Sequence, residues 1–305
     1  MMAELVDDTH RTGSPPGGTG AGLGRWISAA GRRHSLPILL LLLLGFVAPL
    51  LTIIGFSFMP PRTFSIWQWP TFENYRVIFE ETFYTSFLWS LGMAVVTVAI
   101  LIAICYPIAY GLAKTFGRWA NLVTLLMVLP LFVSENVRLY GWVLFFIKGG
   151  VLLGTIKSLF GVELDSILFQ PGTIIYGMVY VYLPFMLFPM TLGVSMVPRD
   201  LVDAANDLGA SRLQIFREVE LPLAMPGMVI GSLLTFVLAV GAIAEAKVLG
   251  GQSVIPVTHD IEIAFTYAQN WPLGAGISVM LILIVGALVL AVLRRFDLDR
   301  ILGRR

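Results

Sequence analysis

The chain has 305 residues, 57% hydrophobic and 13% charged, with a formal net charge of +1 and a mean hydropathy of +0.84. Soluble domains carry about 25% charged residues, so this is an integral membrane protein, and its near-neutral balance gives nucleic acid no electrostatic footprint. The single cysteine, Cys105, lies in an apolar run, which excludes an intrachain disulfide and a cysteine-rich metal centre.

Residues 1–35 are polar and rich in Gly, Pro and Ser ("TGSPPGGTGAG") and are predicted to form a disordered cytoplasmic tail. The membrane part covers residues 36–293. A span needs about 20 apolar residues, and six runs qualify: Leu36–Phe58, Thr85–Ala113, Ala120–Ile147, Thr173–Val197, Met225–Ala246 and Leu273–Leu293. The first is too long for a signal-peptide core and no A-x-A-like cleavage site follows it. None alternates with period two, so helices rather than a barrel are expected, giving an all-α fold of six transmembrane helices. Between the first two spans, "SIWQWPTFENYRVIFEETFY" carries aromatics at the density of a membrane interface. A short interfacial helix accounts for them, and a docking surface for an external partner is the alternative. Pro107, Pro130, Pro184 and Pro189 fall inside spans, where each removes a backbone donor and tends to kink the helix.

Charges inside a membrane are costly and mark functional candidates. Glu135 and Arg138 are three apart in the third span and share a helix face. They form either a mutually neutralising pair or a polar lining of a solute path in which Glu135 attracts a cationic amine. Tyr140 and Trp142 offer rings for an alkyl-ammonium solute, or act as packing and interface anchors. Glu245 and Lys247 lie near the outer end of the fifth span, where snorkelling to the interface competes with a gate or pocket role. Asp260 and Glu262, in the following loop, are placed to contact an external protein, and His259 reads as a solvated loop residue. No cluster of His, Cys and Asp has metal-ligand spacing, and no paired-carboxylate or nucleophile constellation suggests an enzyme.

Between the fourth and fifth spans stands "DAANDLGASRLQIFREVELPLAMPG", a patterned polar segment within 198–222. Pro198 and Asp200 look like a helix start, with Asp203 three residues on. Leu201, Val202, Ala205 and Leu208 fall on one face. Gly209 sits where a glycine ends a helix in the left-handed conformation. Ser211 and Gln214 have capping-box spacing and open a second short helix, lined by Leu213, Phe216 and Val219, whose continuation Pro222 is expected to limit. A ten-residue helix is marginal in water and needs something to pack on.

Residues 294–305 form a basic C-terminal tail. With the N-terminus inside, the cytoplasmic side holds Arg11, Arg25, Arg32, Arg33, Lys114, Arg118, Arg199, Arg212, Arg217, Arg294, Arg295, Arg300, Arg304 and Arg305, or 14 of the 20 basic residues. The positive-inside bias therefore puts both termini and the 198–222 loop in the cytoplasm.

The pattern Asp-Ala-Ala-x-x-x-Gly, continuing to Phe216, Leu221 and Pro222, resembles the "EAA" loop of ABC-importer permeases of the type I fold. The match runs through Ala204, Ala205, Gly209, Phe216, Leu221 and Pro222. Asp203 stands where that family has Glu. "ENYRVIF", "YPIAYGLAK", "VRLYGW" and "KVLGG" are similar to the spermidine/putrescine subgroup. The resemblance implies a pore shared with a second permease subunit, an extracytoplasmic solute-binding protein and two ATPase subunits docked on the 198–208 coupling helix. It implies a bacterial inner-membrane location. It also implies that ATP is bound by the partner ATPases, and this chain lacks a G-x-x-x-x-G-K-[ST] phosphate loop. Cargoes within reach of the resemblance are polyamines, opines, amino-acid-like amines, phosphonates and ferric iron. A secondary transporter is the alternative class; it would be expected to show internal repeats or deep charges in several spans.

Overall fold

An apolar chain in hydrocarbon satisfies its backbone polar groups within each segment, so long apolar runs become helices. A computed structural model describes residues 37–295 and contains helices and turns, with no strand among the described residues. The elements are α1 (Pro37–Ser57), α2 (Glu73–Glu80), α3 (Phe83–Thr115), α4 (Gly117–Phe132), α5 (Glu135–Phe146), α6 (Val151–Phe160), α7 (Pro171–Ser195), α8 (Arg199–Asp207), α9 (Arg212–Val240), α10 (Ala244–Val248), α11 (Val257–Thr266) and α12 (Trp271–Arg295). Six stretches are long and apolar enough to cross a membrane: α1, α3, α5 with α6, α7, α9 and α12. The expected tails, and Arg11, Arg25, Arg32, Arg33, Arg300, Arg304 and Arg305 with them, lie outside the described residues.

The chain divides into two units at Thr52 and Ile53, and the second contains the packed core. Helix α7 is its centre, with α3 and α9 against it. Leu101 and Cys105 of α3, and Ile174, Met186, Leu187 and Met190 of α7, are fully buried there. Cys105 is a free thiol packed as a small hydrophobe. A second cluster joins Ile78 of α2, Phe87 of α3, Val257 of α11 and Ile277 of α12. The expected interfacial helix is α2. The buried Asn74 amide fixes it by donating to the carbonyls of Ser57 (3.0 Å) and Met59 (2.7 Å). Trp67 and Trp69, just before it, are each 91% exposed.

Three sequence expectations are corrected. The third span is not one helix over 120–147. Pro130 lies in a tight 3-10 turn, Val133 is extended (φ −99°, ψ 136°), and a new helix starts at Glu135. The proline cannot donate to the ladder, so the helix breaks just after it. The fifth span does not reach Ala246: α9 ends at Val240, and a turn at Gly241 leads into the separate α10. The segment from Ser211 is not a short helix stopped by Pro222. It runs unbroken through a π-helical turn at Phe216–Glu220 into the fifth span. Pro222 occupies one of the first two positions after that turn, where a missing N–H is tolerated.

Candidate functional site

The patterned loop forms a compact turn between α8 and α9. Pro198 caps α8 through its backbone; no side chain does so, and the capping role expected of Asp200 is not taken up. Asp200 instead sits in the first turn, where its charge favours the helix dipole. The Leu208 and Gly209 amides close the end of α8 on the carbonyls of Ala204 and Asn206, and Gly209 has φ +81°, the left-handed conformation expected of it. The Ser211–Gln214 capping box is complete. The Ser211 amide donates to the Gln214 side chain at 2.8 Å, and the Gln214 amide donates to the Ser211 hydroxyl at 3.4 Å.

Asp203, Ala204, Asn206, Asp207 and Gly209 are exposed, Ala205 is half-buried, and Leu208 is 89% exposed. An exposed leucine beside two alanines is a small-residue surface that another backbone can approach closely. Phe216 and Leu221 are half-buried and do not share that surface, and Pro222 is exposed further along α9. The motif therefore divides into an outward part on α8 and a part that holds α9 to the core.

The break before α5 opens the second feature. A cavity of about 500 Å³ is lined by Leu131, Phe132, Val133, Ser134, Glu135, Arg138, Val181, Tyr182, Phe185 and Leu238. Glu135 and Arg138 both face it, yet among the described residues they form no ion pair within 4.0 Å. The mutually neutralising pair is therefore not formed. The Arg138 guanidinium lies 5.7 Å over the Tyr180 ring, and its buried Nε has no hydrogen-bond partner.

Glu245 is 0% exposed, so the snorkelling expected of it is corrected. The turn after α9 folds α10 inward, and a β-carbon on Gly177 would lie 3.5 Å from the Glu245 Cγ. Neither carboxyl oxygen has a hydrogen-bond partner, although Tyr182, Glu135 and Arg138 are near enough to act on its charge. Trp142 and Tyr140 do not join this group. Trp142 packs against Tyr176 (4.8 Å), Tyr180, Phe145 and Phe146, and Tyr140 is 59% exposed outside the cavity lining.

On the far side of α10, the Lys247 Nζ bonds Glu262 Oε1 at 2.6 Å, and His259 Nδ1 lies 3.5 Å from Glu262 Oε2. His259 is half-buried against this pair, not the solvated loop residue the sequence suggested. The Lys247 ammonium holds the Glu262 carboxyl below its ordinary value, while burial raises Asp260.

Residues 96–299 match the model of the family described as the binding-protein-dependent transport system inner membrane component. The chain belongs to this family. The permease is 32% identical over 244 residues to the spermidine/putrescine transport system permease protein PotB of Escherichia coli (strain K12), covering 79% of this chain and 89% of that protein. It is 32% identical over 262 residues to PotB of Haemophilus influenzae, covering 84% and 90%. Its fold is similar to that of a chain in a bacterial ABC transporter involved in the import of the acidic polysaccharide alginate, at a TM-score of 0.65 and 16% identity over 90% of this chain and 99% of that one. A second structure, of a bacterial alginate ABC transporter in complex with an alginate pentasaccharide-bound periplasmic protein, gives a TM-score of 0.71 at 16% identity over 91% and 96%.

The permease also makes contacts that the sequence did not assign to their residues. Tyr106 packs edge-on against Phe216 at 5.3 Å, Tyr110 donates to Glu220 Oε1 at 3.2 Å, and Lys114 donates to the carbonyl of Val197. Their spacing in "YPIAYGLAK", at i, i+4 and i+8, was the available signal, since it sets three polar-tipped side chains on one helix face. Tyr182 was hidden because it stands two residues after Tyr180, on a different helix face from Tyr176 and Tyr180, and nothing local marks that face as the inner one.

Proposed function

We propose that this chain is the membrane-spanning permease subunit of an ATP-driven importer for polyamines of the spermidine/putrescine class. The observation that carries the reading is the α8–Gly209–α9 turn, an exposed small-residue helix joined to a span by a hydrogen-bonded glycine turn. That geometry suits docking to a soluble ATPase better than it suits a passive connection, because a nine-residue helix with an exposed leucine needs a partner surface. Asp203, Ala204, Ala205 and Gly209 form the docking surface; Phe216, Leu221 and Pro222 join it to the fifth span. The loop and both termini lie in the cytoplasm, on the side with the basic residues.

ATP is bound and hydrolysed by two partner ATPases, so this chain itself performs no catalytic step. A second permease subunit completes the pore, and an extracytoplasmic binding protein delivers the solute. The relatives named for spermidine and putrescine support the cargo class. Within the chain, Glu135 and Glu245 supply negative charge at the α5 break and in α10, suited to ammonium groups, with Arg138 offsetting part of it.

The experiment is uptake of radiolabelled spermidine by proteoliposomes holding the transporter purified through a tag on this chain. Co-purification of an ATPase and uptake that needs internal ATP are expected. Uptake driven by an ion gradient without ATP would replace this reading with a secondary transporter. ATP-dependent uptake of another solute, with none of spermidine, would overturn the cargo alone.

A further inference from the structure

The coupling segment is anchored at both ends to one helix. Lys114 reaches the carbonyl of Val197, the last residue before the Pro198 cap of α8. Tyr110 bonds Glu220, and Tyr106 packs on Phe216, both in the π-helical turn of α9 that follows the largely exposed 198–215 stretch. All three side chains come from the last turns of α3. Between these anchors, α8, the Gly209 turn and the first turn of α9 are largely exposed.

Both partners carry an irregular turn at the junction. The chain of α3 is π-helical over Gly111–Thr115, and that of α9 over Phe216–Glu220. Such turns wind an extra residue into the ladder and are frequent at functional sites. In α3 the turn closes on the Phe116 ring, which would lie 2.6 Å from a β-carbon on Gly111.

The three anchors differ chemically. Tyr110 and Lys114 act through their polar tips. The Tyr106 hydroxyl is buried and has no hydrogen-bond partner, so only its ring contributes to the contact with Phe216.

We propose that Tyr106, Tyr110 and Lys114 are positioning residues that clamp the second span to both ends of the 198–215 coupling segment. A displacement of that segment is then passed to α3, and not only along the covalent chain into α7 and α9. The proposal rests on the reading that α8 docks on an ATPase. A charge-assisted bond and a bond to a carboxylate are the stronger kinds of hydrogen bond, so losing both should weaken transmission by about tenfold.

The test needs no knowledge of the solute. Ser134 lines the cavity, and the only native cysteine, Cys105, is fully buried. Ser134→Cys therefore gives one reactive thiol in this chain. The complete transporter is purified through a tag on this chain, and its maleimide labelling rate is measured without nucleotide and after trapping with ATP and vanadate. In the Ser134→Cys background the rate is expected to change by about tenfold between the two states. Adding Tyr110→Phe with Lys114→Met should shrink that change below about twofold while ATP hydrolysis continues.

Lys114→Arg keeps the donor and should preserve the change, and Tyr106→Phe keeps the ring and should behave as the parent. A full labelling change in the double variant would overturn the proposal, as would hydrolysis and labelling change falling together in proportion. If the double variant fails to insert, Tyr110→Phe alone carries the test, with a reduced labelling change expected and an undiminished one overturning the clamp. No labelling change in the Ser134→Cys parent itself would instead remove the docking reading on which the clamp rests.

Discussion

Gly193 of α7 and Gly227 of α9 meet with no room for a side chain between them. A β-carbon on Gly227 would lie 2.6 Å from the Gly193 Cα, and one on Gly193 would lie 2.8 Å from the Gly227 Cα and 2.7 Å from the Ala224 carbonyl oxygen. Lipid gives helices no hydrophobic reason to associate, so close backbone packing at small residues takes its place. Every neighbouring atom there is backbone and cannot swing away.

Gly227→Val should therefore lower the thermal unfolding midpoint of the purified transporter clearly, by overpacking worth about 2 kcal/mol or more. Gly92→Ala in α3, where an added β-carbon meets nothing within 4 Å, is the matched control and should be neutral or slightly stabilising. Equal midpoints for the two variants would show that the crossing is looser than described.

At Gly209 the constraint is conformational, because nothing lies within 4 Å of an added β-carbon but φ is +81°. A β-branched residue there costs about 1–2 kcal/mol of backbone strain, enough to reduce the bent loop about tenfold, whereas Asn visits this region readily. Gly209→Val should lose most ATP-driven uptake with membrane insertion intact, and Gly209→Asn should keep most of it. Equal uptake by both variants would separate the turn from coupling.

Glu245 is a carboxylate with no exposure and no hydrogen-bond partner, an arrangement that costs stability. Glu245→Gln keeps the shape and removes the charge. Its thermal midpoint should equal or exceed that of the parent, while spermidine uptake falls by about tenfold, the scale of a lost ionic contact. A large drop in the midpoint with unchanged uptake would make the residue structural.

The Lys247–Glu262 bond sets a pH dependence with a defined sign. The Glu262 carboxyl is held below its ordinary value of 4.5 by Lys247, so its contribution is present above that value and is lost as pH falls through the lower folded value. Asp260 works the other way. Burial raises it, opposed by Ser86 and His259, so it weakens the fold as pH rises through its folded value. Glu262→Gln should be less stable than the parent by a small amount at pH 4.5 and above, because the pair is partly exposed. Below that the difference should close. A difference that persists undiminished well below pH 4.5, read by unfolding midpoint, would contradict the assignment.

Some features were legible in the sequence because their physics is local. Chain length and hydropathy mark a membrane span without reference to neighbours, which is why six crossings were legible although two had shifted bounds. The Ser211–Gln214 box and the Gly209 turn were legible because three or four adjacent residues decide a cap. The break after Pro130 was half legible: the proline announced a kink, but only the geometry showed that a new helix begins at Glu135.

The remaining features depend on which helix faces which. Glu245 looked interfacial because sequence position measures depth along a span, and only the turn at Gly241 folds it into the interior. Glu135 and Arg138 share a helix face because they are three apart, which left pairing and cavity lining equally open, and only the packing shows both lining the cavity with no ion pair between them among the described residues. Tyr110 meets Glu220 across 110 residues, a contact that no spacing rule encodes. The sequence by itself determined the membrane class, the number of crossings, the Gly209 turn and the Ser211–Gln214 cap, since these follow from hydropathy and short-range hydrogen bonding. Only the tertiary structure decided the partner of each polar side chain, because in a close-packed bundle that choice is made by helix crossings such as the one at Gly193 and Gly227.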